Sequence, residues 1–242
     1  GGAVTVYVKV ENKNYVTVET SGTVTITKAP LAITANSNSW VYTSSVHKDS
    51  GYSVSATDKL QGTDAISAIT VTGEITNVGT VDNTITPASV KIVNGSNENV
   101  TGNYSITCNN GTLEVTKAPL TITANSNSWV YTSSVHKDSG YSVSTTNKLQ
   151  GTDAISAITV TGEITNVGTV DNTITPASVK IVNGSNENVT GNYSITCNNG
   201  TLEVTKAPLT ITANTNSWTF DATSHTDSGY SVSATNKLQG TD

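Results

Sequence analysis

Histidine stands beside lysine and aspartate in His47-Lys48-Asp49 and again in His136-Lys137-Asp138. An imidazole next to a carboxylate is raw material for a metal site or a general base. Neither chemistry is completed here. Zinc needs four ligands, and no Cys or second His stands at ligand spacing. Serines abound, yet none sits in the strand-to-helix elbow that exposes a nucleophile. Each histidine, His225 included, is therefore expected as a solvated loop residue. Calcium needs oxygen ligands grouped in one loop, whereas Asp49, Asp58, Asp64 and Asp82 are dispersed, and Asp58 becomes Asn147 in a second copy of the same sequence. A lysine desolvated beside a carboxylic acid could form an amide crosslink. Lys59, Lys91 and Glu114 instead alternate with apolar neighbours and point away from the apolar face, and Lys117 lies in a junction. No catalytic residue, cofactor site or metal site is expected.

Aromatic residues supply the one binding chemistry with a regular pattern. Trp40 and Tyr42 recur as Trp129 and Tyr131, and then as Trp218 and Phe220. Residues two apart on a strand share a face, so each pair could stack a sugar ring. The same spacing serves packing over a core, which is the expected role. These six residues form the candidate ligand platform. Cys108 and Cys197 hold one position in successive copies. In a linear array they lie too far apart for a disulfide and are expected as buried free thiols, Cys108 sharing a face with Tyr104 and Ile106.

What must position these residues is an 89-residue sentence, written twice and begun a third time. Lys-Ala-Pro-Leu opens at Lys28, Lys117 and Lys206. Residues 28–116 differ from 117–205 only at Ala32/Thr121, Ala56/Thr145 and Asp58/Asn147. Near-identical neighbours do the same job, and their number sets the reach. Two complete modules are expected, 28–116 and 117–205. Residues 1–27 read as the closing part of a divergent preceding module, because Asn14-Tyr15 and Gly22-Thr23 align with Asn103-Tyr104 and Gly111-Thr112. Residues 206–242 read as the opening part of a further module. Strand pairs of that size are marginal in water. The end segments are therefore expected to seek partners, head to tail with another copy by strand addition.

Composition bounds the partners. Only 12% of residues are charged, and 12 scattered basic residues sit within a net charge of −6. A grip on nucleic acid needs clustered Lys and Arg, so none is expected. No apolar run reaches the roughly 18 residues of a membrane helix, and residues 1–10 lack signal-peptide features. No membrane insertion is expected of this segment. Thr, Ser, Val, Asn, Gly and Ile dominate and Met is absent, which is strand-and-turn chemistry. Apolar residues alternate with polar ones at Val4–Val10, Tyr52–Ala56, Tyr104–Cys108 and Leu113–Val115, the mark of strands with one face in a core.

About seven short strands per repeat fit an Ig-like β-sandwich. Asn110-Gly111 is expected to close a hairpin between the Tyr104 and Leu113 strands. The one helical signal, Asp64–Ala68, amounts to a capped turn. Grown longer, it would give the alternative, a β-grasp-like module with one short helix. The strand ending at Thr116 runs through Lys117-Ala118-Pro119 into Leu120–Ala124. Pro119 lacks a donor and is expected to stop pairing there without turning the chain back. The expected architecture is all-β, with tandem Ig-like β-sandwich modules in an elongated array, each step roughly 33 Å for a strand of about ten residues.

Several ordered phrases resemble the MBG-type repeat domains of long, wall-attached surface proteins of Gram-positive bacteria. They are Gly-Glu-Ile-Thr-Asn-Val-Gly-Thr from Gly73, Asn-Tyr-Ser-Ile-Thr from Asn103, Leu-Thr-Ile-Thr-Ala-Asn from Leu120 and Trp-Thr-Phe-Asp-Ala from Trp218. Where that family tends to have Tyr-Asp-Gly, this chain has Tyr42-Thr43-Ser44 and Phe220-Asp221-Ala222. The resemblance covers nearly the whole chain and carries over no catalytic residue. It implies an extracellular, cell-surface stalk that projects a functional head, with neighbouring modules of the same chain as partners. The alternative is that each module is a weak adhesin for glycan or host matrix, strengthened by avidity. No enzyme is expected.

Overall fold

The computed structural model describes residues 2–242. Contacts group the chain into two compact units that divide between Thr116 and Lys117. The first unit contains β1 (Ala3–Val10), β2 (Val18–Thr25), β3 (Ala29–Ala35), β4 (Asn38–Val41), β5 (Tyr52–Val54), β6 (Ala65–Ala68), β7 (Val71–Thr72), β8 (Gly79–Ile85), β9 (Lys91–Val93), β10 (Tyr104–Asn109) and β11 (Gly111–Thr116). Helical turns are limited to short 3₁₀ segments such as Pro87–Ser89 and Thr101–Asn103. No α-helix occurs among the described residues, so the β-grasp-like alternative, which needs one, is set aside. The Asp64–Ala68 segment expected as a capped turn is instead strand β6, bulged where it pairs with β9.

Strands β10-β3-β5 form one sheet, β4-β11-β8-β7 a second, and β6-β9 a separate pair. The complete repeat thus holds nine strand segments rather than about seven, the surplus coming from pieces as short as the two residues of β7. Alternation does what its period requires. Strand β11 buries Gly111, Leu113 and Val115 and exposes Thr112, Glu114 and Thr116. Leu31, Ile33 and Ala35 of β3 meet Ile85, Ile92 and Tyr104 in the core. Each fully buried Leu or Ile side chain is worth roughly 1.5–3 kcal/mol over an exposed one.

The pairing departs from the expected hairpin. Asn110-Gly111 does not fold β10 back on β11. Strand β10 pairs in parallel with β3, Tyr104 opposite Ala29, while β11 pairs in parallel with β4, Leu113 opposite Asn38. Asn110 is a one-residue step from one sheet to the other, and Asn36-Ser37 makes the same step between β3 and β4. The two steps lie against each other. A Cβ on Gly111 would overlap the Asn36 carbonyl, so only glycine fits. Asn83, fully buried, donates its Nδ2 to the carbonyls of Asn36 and Asp49 at 2.9 and 3.0 Å.

The second unit repeats the plan in β12 (Ala118–Ala124), β13 (Asn127–Val130), β14 (Tyr141–Val143), β15 (Ala154–Ala157), β16 (Val160–Thr161), β17 (Gly168–Ile174), β18 (Lys180–Val182), β19 (Tyr193–Asn198) and β20 (Gly200–Thr205), and adds β21 (Ile211–Ala213) and β22 (Tyr230–Val232). Pro119 does not stop the ladder, because Ala118 pairs with Tyr193 and Pro119 with Ser194. Strand β14 reaches only Ile122–Ala124. At Pro119, β12 therefore has a neighbour on one side alone, where a missing donor is tolerated.

Residues 3–25 depart furthest from expectation. Strands β1 and β2 form an antiparallel hairpin from Ala3/Thr25 to Val10/Val18, and every side chain in it is exposed, Val4 at 63% and Val8 at 51%. The valines of β1 face no core. Positions 18–25 run as one strand, whereas their equivalents in the repeat divide between β10 and β11. The reason is pairing: β10 and β11 are held apart by β3 and β4, while β2 has only β1 beside it.

Candidate functional site

Trp40, near the end of β4, stacks on His47, with ring centroids 4.9 Å apart and planes 14° from parallel. Backbone bonds in both directions between His47 and Ile75, at 2.8 and 3.1 Å, hold the histidine in place. Its Nε2 lies 3.0 Å from the Thr43 hydroxyl. The second repeat reproduces the arrangement in Trp129, His136 and Thr132. In the third copy Trp218 stacks on His225, whose Nε2 meets the Asp221 carboxylate at 2.8 Å. His47 and His136 are thus half-buried ring partners held by a bridge, correcting the expectation of solvated loop residues, whereas His225 is exposed in a loop as expected.

This geometry changes the candidate platform. Tyr42 is buried at 2% exposure, Trp40, Trp129 and Tyr131 are half-buried, and Trp218 and Phe220 are exposed at 46% and 91%. Trp129 and Tyr131 pack against Ile164, Leu202 and Val204. One face of each tryptophan is already covered by imidazole. In the complete repeats the pair is therefore a wall of the core, and only the third copy presents both rings outward.

The carboxylates are occupied by protein donors. The Tyr104 hydroxyl donates to Asp64 at 2.6 Å and accepts the Gln61 N–H at 2.9 Å. Burial first, and the Asp64 hydrogen bond second, push the Tyr104 phenol above its ordinary pKa. Tyr193, Asp153 and Gln150 repeat the network. Asp49 accepts the Gly51 N–H at 2.7 Å, and Asp82 accepts from the Asn110 side chain at 3.1 Å. No group of three His, Cys, Asp or Glu among the described residues could hold a metal ion. Lys59, Lys91 and Glu114 are exposed, away from any desolvated setting for amide chemistry.

An open groove of about 480 Å³ runs between Lys48-Asp49-Ser50 and Val71-Thr72-Gly73-Glu74, with a twin in the second repeat. The Lys48–Glu74 ion pair, 2.6 Å long, closes its rim and draws the Glu74 carboxyl below its ordinary pKa. The pair offsets its own charges, and the remaining charge of the groove, Asp49, is turned to the Gly51 N–H. Cys108 and Cys197 are free and half-buried. Burial pushes their thiols up in pKa, so they stay protonated and poorly nucleophilic.

Sequence reasoning missed the Tyr104–Asp64 network and the junction residue Asn83. Asn83 carried a readable signal: it stands in phase with Val81 and Ile85 on β8, so alternation already turned it inward. Tyr104 and Asp64, 40 residues apart, carried none. No helix among the described residues is long and apolar enough to cross a membrane. Neither a comparison with protein-family models nor a search of curated proteins found a match to this chain.

Proposed function

We propose that the repeats are load-bearing spacer modules, the stalk of a bacterial surface protein or extracellular fibre that carries a separate functional head. The supporting observation is how each repeat holds its first strands to its last. The chain enters through β3 and leaves through β11, and the two are tied by parallel ladders, β3 to β10 and β4 to β11. Tension enters β3 and β4 from their N-terminal ends and leaves β10 and β11 from their C-terminal ends. In a parallel pair those ends are opposite, so the load shears the ladder and falls on all its hydrogen bonds together instead of peeling them singly. Near-identity of the copies suits the same role, since each contributes one equal step. Ig-like sandwich modules in an elongated array, outside a Gram-positive cell wall, remain part of this reading on the strength of the MBG-type resemblance.

Stretching single molecules by their ends tests the reading. Two equal unfolding events are expected, each releasing roughly 290–320 Å of chain, less the folded length, for a repeat of 89 residues. Gradual extension without discrete events would refute the spacer. A specific signal on a glycan array, lost on replacing the aromatic pair, would put an adhesin in its place.

A further inference from the structure

Within the second unit, residues of the complete repeat meet the opening part of the following copy, and the contact is shaped on both sides. The Tyr131 hydroxyl donates to the Asp242 carboxylate at 3.0 Å across 111 residues of chain. Beside it Gly240, at φ +59°, lies so close to Ser133 that a Cβ would overlap the serine side chain. A cleft of about 240 Å³ adjoins these contacts, walled by Tyr131 and Val167 on one side and Pro208, Leu209 and Leu238 on the other. The accepting turn has the form found in the complete repeats. The Asp242 N–H donates to the Gln239 carbonyl at 3.2 Å, as Asp64 does to Gln61 and Asp153 to Gln150. Gly62, Gly151 and Gly240 all take positive φ within it. The repeat's own fold thus presents the turn, whose carboxylate in the complete repeats also accepts the hydroxyl of Tyr104 or Tyr193.

We propose that Tyr131 and Ser133 form a docking surface for the Leu238–Asp242 turn of a following copy of this repeat, locked by the Tyr131–Asp242 hydrogen bond. The purpose rests on the spacer reading, because a stalk must pass orientation from module to module. The same bond is the chief cause holding the Tyr131 phenol above its ordinary pKa. Sequence drift points to the same surface. The third copy departs from the second most densely at 219–226 against 130–137, where Phe220 replaces Tyr131 and Ala222 replaces Ser133. It keeps Gly240 and Asp242. That copy carries the accepting turn and has lost the donor.

Hydrogen exchange on the whole chain tests the lock with Tyr131→Phe, which is the third copy's own residue, and Asp242→Asn. Either change should lower protection of the Thr210 and Ser233 amides, which bond Asn236 and Thr210, about five- to tenfold. The double variant should be no worse than either single one. Protection in β20 should stay as it is, and Asp242→Asn should return the Tyr131 phenol toward its ordinary titration. Unchanged Thr210 and Ser233 protection, additive losses, or equal loosening of β20 would overturn the proposal. The unfolding event of repeat 28–116 involves neither residue, so failure of the lock and failure of the spacer reading give different results.

Discussion

Replacing Asn83 with alanine should unfasten the sheet junction of the first complete repeat while leaving the second intact. The side chain is wholly buried and its Nδ2 serves two backbone carbonyls, those of Asn36 and Asp49. Its Oδ1 is buried without a hydrogen-bond partner. Losing the amide strands two carbonyls, each taken at about 1.5 kcal/mol because a backbone carbonyl lies at the low end of the cost of an unsatisfied buried group. Removing the partnerless Oδ1 gives back about 1 kcal/mol, and the vacated volume takes away a similar amount. The net is a loss of about 3 kcal/mol, a large share of the roughly 5–15 kcal/mol that stabilises a domain. At about 4–8 °C per kcal/mol for a module of this size, the midpoint should fall by roughly 12–24 °C. Asn172, bonded to Asn125 and Asp138 in the same way, is an internal control. Calorimetry of Asn83→Ala should therefore show two transitions, the upper one unmoved. Asn83→Asp keeps the shape but sets a carboxylate against two carbonyls. It should be worse than alanine at neutral pH and recover as acid restores one donor. A shift below about 0.5 kcal/mol, or both transitions moving together, would refute the idea that this amide holds the sheets at their crossing.

Tyr104→Phe should cost about 2–3 kcal/mol through its lost bond to a carboxylate, read from the urea midpoint of the first repeat. Because the folded phenol titrates above the unfolded value of about 10, its contribution is complete below pH 10 and is lost as pH rises through the folded pKa; melts from pH 8 to 12 should show that alkaline loss flattened in Tyr104→Phe. Trp129→Ala, which removes the His136 stack and the packing on Leu202 and Val204, should destabilise the second repeat by about 3 kcal/mol. A glycan array should be silent for both the parent chain and this variant, whereas an unchanged fold that loses a ligand would return Trp129 to the role of platform.

Alternation placed Tyr104, Leu113 and Val115 in the core, whereas the same signal at Val4–Val10 and Tyr52 fell on exposed side chains. Partner choice was not legible, for a physical reason. Asn-Gly favours a tight turn, but a hairpin forms only if the two strands stay in one sheet. Here β3 and β4 lie ready in separate sheets, each with open backbone for a parallel partner 75 residues later, so a one-residue step replaces the turn. Short-range signals cannot report such distant competitors. His47 was misjudged in the same way: the bridge that holds it comes from Ile75, far along the chain, and sets its ring on Trp40. Asp64 was weighed as a helix cap and as a calcium ligand, and folding gave its carboxylate to a tyrosine 40 residues away.

The few differences between the two complete repeats obey the same cross-strand logic. The N–H at position 32 donates to the carbonyl at position 58 in every copy, as Ala32 to Asp58, Thr121 to Asn147 and Thr210 to Asn236, each at 2.9 Å. Where threonine replaces alanine, asparagine replaces aspartate, and its Nδ2 reaches the threonine hydroxyl at 3.4 Å in the second copy and 3.2 Å in the third. Two of the three differences between the complete repeats are therefore one paired exchange. The remaining position, Ala56, Thr145 or Ala234, is exposed in all three copies and varies independently of the pair. The aspartate-to-asparagine change first read as a lost metal ligand thus has a structural cause, a side-chain amide meeting a new hydroxyl. Between the two complete repeats, change is thus confined to two residues that meet across strands and one side chain that faces water, and the shape of the module is kept. That is the demand a spacer places on every copy alike.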